Sequence, residues 1–174
     1  PTPPTMKLYS DIITGDEVFS DAFPVNEIDD IVYEIEGKVI NKSTGGDYGI
    51  SANTDEEGGG DGGVDSGMES VINVVDAHRL METGFDKKSY MTHIKGYMGK
   101  LASELKKNNP ERVESFQKAA QTFVKKVLAN YNDYRFYQTE GMDVEGMVIL
   151  SFYKEDGVTP YFYVWKDGVK FEKY

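Results

Sequence analysis

The chain of 174 residues contains no cysteine. That absence excludes a disulfide framework, thiol catalysis, iron–sulfur clusters and every thiolate zinc site. Histidine occurs only as His78 and His93, fifteen residues apart. Neither belongs to a metal-spacing motif, and each reads as a surface or packing residue rather than a ligand or a base. No apolar run approaches the roughly 18 residues that cross a bilayer, and the N-terminus lacks a basic-then-apolar signal pattern. The default compartment is therefore the cytosol. Positive charge is also scarce: 19 Lys and Arg face 30 Asp and Glu, a formal charge of −11. Such an average argues against a whole-surface nucleic-acid or anionic-membrane binder. Walker loops, dinucleotide fingerprints, nucleophile elbows and HExxH are all missing. The glycine tract at 58–63 follows acids rather than a strand, carries no lysine and opens no helix. It is not a phosphate cradle.

What is present suits one folded domain. A chain of this length buries roughly 70% of its unfolded surface, and 39% hydrophobic residues make global disorder implausible. Pro1 to Thr5 reads as a leader or tag ahead of Met6. The stretches Lys7–Ile13 and Ile31–Ile40 are rich in β-branched and aromatic residues and are punctuated by Gly15-Asp16 and Gly37-Lys38. They predict short strands and tight turns. Residues 42–70 hold seven acids and many glycines with almost nothing apolar, so they read as a long flexible acidic loop inside the domain. A short helix is predicted over 70–80. Tyr90, Ile94, Tyr97, Met98, Leu101 and Leu105 then form an apolar helical stripe beginning near Asp86. Asn109-Pro110-Glu111 predicts an N-cap, a first-turn proline and a dipole-matched acid. Val113, Phe116, Ala120, Phe123, Val127 and Tyr131 continue as a second stripe, giving an antiparallel helical hairpin over 86–131. Strands return over 134–138, 147–153, 161–165 and 169–172. Asp156-Gly157 and Asp167-Gly168 are read as hairpin turns, the second of the two-residue primed type. The class is α+β with mixed, mostly antiparallel sheet.

The charge is unevenly spread. Between Asp86 and Asn130 stand ten basic and four acidic residues, +6, which leaves 9 − 26 = −17 for the rest. The hairpin is either an ordinary solvated lysine face or a docking face for an acidic partner. Its aromatics lie on the buried stripes and are not free to stack on bases. The acidic loop is either a solubilising segment or a weak, loosely specified calcium site, since hard oxygen ligands suit that ion but no EF-hand pattern is present. Asp16-Glu17 and Glu140 are carboxylates on turns, placed to cap a sheet edge or to meet a basic patch on a partner.

Several motifs in register together resemble one family. The run Tyr9–Asp21, the segment Val32–Lys38, Ile50-Ser51-Ala52-Asn53, Asn109–Val113, Phe136–Tyr153 and Glu155–Pro160 are similar to the translationally controlled tumour protein family, most like its fungal members. The likeness runs from Met6 to Tyr174. It implies a β-tent with a projecting helical hairpin and a mobile loop, and a likeness of fold to a Rab-binding guanine-nucleotide-release chaperone. It further implies a non-enzymatic, growth-promoting and anti-apoptotic interaction protein, at most a guanine-nucleotide exchange factor. The implied partners are a Rheb-type small GTPase, tubulin or microtubules, and the ribosome or elongation factors, with no membrane and no specific nucleic acid. The chain is expected to be a cytoplasmic monomer with cytoskeletal association. By this resemblance the GTPase site falls on Asp16, Glu17 and Glu140, although Thr139 stands where the family usually has glycine. Microtubule or acidic-partner binding falls on Lys100, Lys106, Lys107, Arg112, Lys118, Lys125 and Lys126. Weak Ca²⁺ binding falls on Asn53, Asp55, Glu56 and Glu57, with no structural metal or other cofactor. Tyr174 replaces the C-terminal cysteine of animal members, so disulfide-linked dimers are not implied. The alternative is a calcium-binding scaffold or microtubule-stabilising protein without exchange activity.

Overall fold

The computed structural model describes residues 6–43 and 68–173. Short β-rich stretches divided by turns become eleven strands there: β1 (Lys7–Asp11), β2 (Glu17–Ser20), β3 (Val25–Ile28), β4 (Val32–Glu36), β5 (Val39–Ser43), β6 (Met68–Ile72), β7 (Met81–Thr83), β8 (Arg135–Gln138), β9 (Ile149–Tyr153), β10 (Pro160–Trp165) and β11 (Val169–Lys173). Three helices join them: α1 (Asn73–His78), α2 (Lys87–Asn108) and α3 (Val113–Ala129). A six-stranded sheet has the order β3-β4-β10-β9-β8-β7, a three-stranded sheet the order β11-β1-β2, and β5 pairs with β6. Every pairing among the described residues is antiparallel, within the α+β class expected.

The helical stripes supply much of the core. Asp86 caps α2 by accepting a hydrogen bond from the Ser89 amide at 2.7 Å. Tyr90, Ile94, Tyr97 and Leu101 are buried from α2, and Phe116, Ala120, Phe123 and Val127 from α3. Tyr90 packs on Phe136 of β8, with ring centroids 5.2 Å apart. Phe123 meets Trp165 of β10 edge-on at 5.4 Å. The hairpin therefore buries its stripes against the six-stranded sheet and turns its lysines outward.

Four local expectations change. The helix expected over 70–80 begins only at Asn73, because Met68–Ile72 pairs with β5. The same ladder takes Lys42, Ser43 and Met68 to Ser70 out of the stretch read as loop; the remainder, 44–67, lies outside the described residues. Asn109 makes no side-chain cap, and Pro110–Arg112 forms a 3-10 turn before α3. Asp167-Gly168 is not a hairpin: Lys166–Gly168 is a 3-10 corner that carries the chain from β10 in one sheet to β11 in the other. Its groups are used elsewhere. Lys166 N donates to Ile31 O at 3.0 Å, Gly168 O accepts from Ile12 N at 3.0 Å, and Arg112 holds the Asp167 carboxylate. A Cβ at Gly168 would lie 2.7 Å from Met147 Cε and collide with the Tyr97 hydroxyl, so only glycine fits this corner.

Candidate functional site

Asp16, Glu17 and Glu140 come from distant parts of the sequence and meet at one corner of the molecule. The turn between β1 and β2 is shaped first. Gly15 adopts φ +81°, a conformation natural to glycine, and Asp11 N donates to Asp16 O at 2.8 Å across the turn. The buried Asp11 carboxylate accepts from Ile13 N at 2.8 Å and from Met147 N at 2.9 Å, which ties this turn to the segment leading into β9. Asp16 reaches across to the segment after β8. Its Oδ2 accepts from Thr139 Oγ1 at 2.9 Å and from Gly141 N at 3.0 Å. Thr139 therefore supplies a hydroxyl donor that helps to fix Asp16.

Glu17 takes a partner that sequence reasoning set aside. His78, at the end of α1 and only 6% exposed along its side chain, bonds through Nδ1 to the Glu17 carboxylate. Because an ionised carboxylate only accepts, Nδ1 carries the proton. Phe23 meets the imidazole edge-on at 5.7 Å. Arg79, the next residue, closes α1 in the left-handed conformation with φ 56° and extends to Glu140 Oε1 at 3.5 Å. That contact is long and both side chains are exposed, so it is a loose surface pair. The corner thus gathers two held carboxylates, Asp16 and Glu17, and a looser third, Glu140, beside the Arg79 guanidinium. Among the described residues no three His, Asp or Glu side chains are grouped closely enough to hold a metal ion.

His78 and Arg79 were legible only faintly. Sixty-one residues separate His78 from Glu17, and the same interval separates Arg79 from Glu140. The one usable signal was a basic pair ending a short helix in an acidic stretch.

The hairpin residues divide into two groups. Arg112 is turned inward: its Nε and Nη2 donate to the two Asp167 oxygens at 3.1 and 2.8 Å, and its Nη1 donates to Asp30 Oδ2 at 2.7 Å. The Asp167 hydrogen bonds hold its guanidinium above the ordinary arginine value. Arg112 is thus a tether between hairpin and sheet corner, not a free surface cation. Lys100 pairs with Glu145, Lys126 with Asp29 at 3.2 Å, and Lys107 with Glu104 at 3.9 Å. Lys106, Lys118 and Lys125 are exposed and have no acidic partner among the described residues. The calcium candidates Asn53, Asp55, Glu56 and Glu57 lie outside the described residues.

The comparisons with known proteins follow this geometry. Residues 6–170 match the family model described as translationally controlled tumour protein. The chain belongs to that family. It is 49% identical over 169 residues to the translationally-controlled tumor protein homolog of Schizosaccharomyces pombe, covering 97% of this chain and 100% of the relative. To the homolog of Saccharomyces cerevisiae it is 46% identical, covering 97% and 99%. The structure of the S. pombe protein p23fyp superimposes with a TM-score of 0.83 over 97% of this chain and 99% of that one, at 49% identity. The Caenorhabditis elegans family structure gives 0.71 at 29% identity, covering 97% and 98%. No helix among the described residues is long and apolar enough to cross a membrane.

Proposed function

We propose that the chain works as a cytoplasmic interaction protein that binds a Ras-like small GTPase of the Rheb type through the Asp16–Glu17–Glu140 corner. One observation supports this reading above the others. Carboxylates up to 124 residues apart stand together on one face, and Asp16 and Glu17 are oriented by buried or half-buried partners. Fixed charges of one sign steer and select a basic partner without loss of side-chain entropy at the moment of contact. In a nucleotide-release and binding assay with a purified Rheb-type GTPase, Glu17→Val weakens binding about tenfold, as expected for loss of a charged contact of roughly 1.4 kcal/mol. Equal binding by the parent and the variant sinks the assignment. Faster nucleotide release in the same assay separates an exchange factor from a protein that only binds.

A second reading rests on Lys106, Lys118 and Lys125. Unpaired cations on a hairpin of net +6 favour an acidic partner such as the tubulin surface. The weak calcium role and contacts with the ribosome or elongation factors stand as further proposals of the family resemblance, as do the growth-promoting and anti-apoptotic roles.

A further inference from the structure

The segment 139–146 between β8 and β9 is held more firmly than a connecting loop requires. Asp16 Oδ2 fastens its start at Thr139 and Gly141. Met142 N donates to Thr139 O at 2.8 Å, closing a turn. Asp143 Oδ1 accepts from Glu145 N at 2.8 Å, and Asp143 O accepts from Gly146 N at 3.0 Å. Lys100 of α2 pins Glu145 from outside, while Gly146 fits against Thr14 and Asp11 where a Cβ has no room.

At the tip of this fixed loop the backbone is strained and the side chains are apolar. Met142 sits at φ 50°, a left-handed conformation that costs a non-glycine residue about 1 kcal/mol or more. Glycine would serve the turn better, yet a methionine is there and is 42% exposed. Val144, two residues on, is 77% exposed. Single exposed apolar residues are ordinary on protein surfaces. Two of them on a loop over-determined by hydrogen bonds, one in a strained conformation, are a presented pair.

We propose that Met142 and Val144 form the apolar anchor of the partner interface, flanked along the loop by Glu140, Asp143 and Glu145 and at its start by Asp16, which holds Thr139 and Gly141. The inference rests on the GTPase-binding reading of that same corner and adds what the partner must present: an apolar cleft rimmed by basic side chains. Hot spots at protein interfaces are typically a few buried apolar or aromatic residues inside a polar rim. Here rim and centre are both built in. Methionine suits such a centre because its flexible thioether adapts to the shape of the cleft. The carboxylates around the anchor oppose insertion into an anionic bilayer, so a protein cleft is the occupant that the charges favour. Pre-organisation of the loop lowers the ordering cost of binding.

The test uses the full chain and a nucleotide-free Rheb-type GTPase, with binding measured across a salt series. Met142→Gly keeps the left-handed turn and removes only the side chain. Val144→Ser alters a residue that makes no contribution to the core. Urea denaturation verifies that neither variant is less stable than the parent. The double variant is expected to bind about tenfold more weakly at every salt concentration, because an apolar contact is not screened. Glu17→Gln is expected to weaken binding chiefly at low salt and to flatten the salt dependence. If Glu17→Gln weakens binding while the double variant binds like the parent, the anchor is overturned and the site reading stands. If neither changes binding, the site reading itself falls and takes the anchor with it. Binding of the parent to phosphatidylserine vesicles, lost in the double variant, would make the occupant a membrane and also overturn the proposal.

Discussion

Arg112 and His93 show how a side chain's role is settled by its neighbours rather than by its type. Arg112 stands in a lysine-rich stretch, but its side chain is only 11% exposed and its fork closes on Asp167. Removing one member of a buried charged pair leaves the other desolvated and unpaired. Arg112→Ala is therefore expected to lower stability by about 2–4 kcal/mol in urea denaturation. Asp167→Asn should cost more than Asp30→Asn, since Asp30 is exposed and without it Arg112 keeps Asp167 and Lys166 keeps Glu27. Equal losses would mean that the bidentate contact is not the tether. His93 lies partly buried among Phe85, Tyr90 and Tyr97. Burial, and then the nearby Lys100, lowers its pKa below the ordinary 6.5. The neutral ring is the form the fold accepts. Its contribution is fully present above pH 6.5 and is lost as pH falls from there towards the folded value. His93→Gln should flatten the fall in stability between about pH 7 and pH 5, and parallel curves for parent and variant would count against this placement. Neither role could be read from sequence: Arg112 meets an aspartate 55 residues away, and His93 belongs to no motif.

The elements were legible in proportion to how strongly their own periodicity outweighed distant pairing. The stripes on α2 and α3 repeat over many turns, and most of the residues they name are buried, with Met98, Leu105, Val113 and Tyr131 only partly so. By contrast, Met68–Ile72 is a strand because β5 lies beside it, and Lys166–Gly168 is a corner because two sheets meet there. In both places a tertiary partner overrides a local preference. The carboxylates of the candidate site stood out as acids on turns and received a role from the family resemblance, while the groups that hold Glu17 and Asp16, His78 and Thr139, became visible only in three dimensions. The hairpin surface carries its own prediction. Reversing Lys106, Lys118 and Lys125 to Glu shifts the net charge by six without touching a pair described here, and should abolish salt-sensitive co-sedimentation with microtubules. Pelleting that persists unchanged would leave those lysines as a solvated face. Arg112 and Lys126 serve as controls of a different kind, because their loss also affects the body through Asp167, Asp30 and Asp29.

Across the whole molecule the net charge of −11 conceals two faces of opposite sign. The candidate residues of the acidic corner and the unpaired lysines of the hairpin are different, so the two proposed contacts would not compete for the same side chains, and the charged part of each would weaken with salt. Calcium belongs to this scale too, since binding would reduce the acidic excess. Calorimetric titration of the full chain at physiological ionic strength should show at most micromolar-to-millimolar affinity, and no measurable heat retires that role.

β11 pairs with β1 in a ladder that sets Lys7 opposite Lys173. Of the described strands β1 is synthesised first and β11 last, so β1 finds this neighbour only after every other described strand has been made. Until then β1 has β2 on one side and an open edge on the other, exposed to mispairing with nascent or neighbouring chains. Premature termination before Val169 would leave that edge permanently open. Val169–Lys173 thus shields β1 by taking the edge position itself, so the first of the described strands depends on the last for its inner place in the sheet.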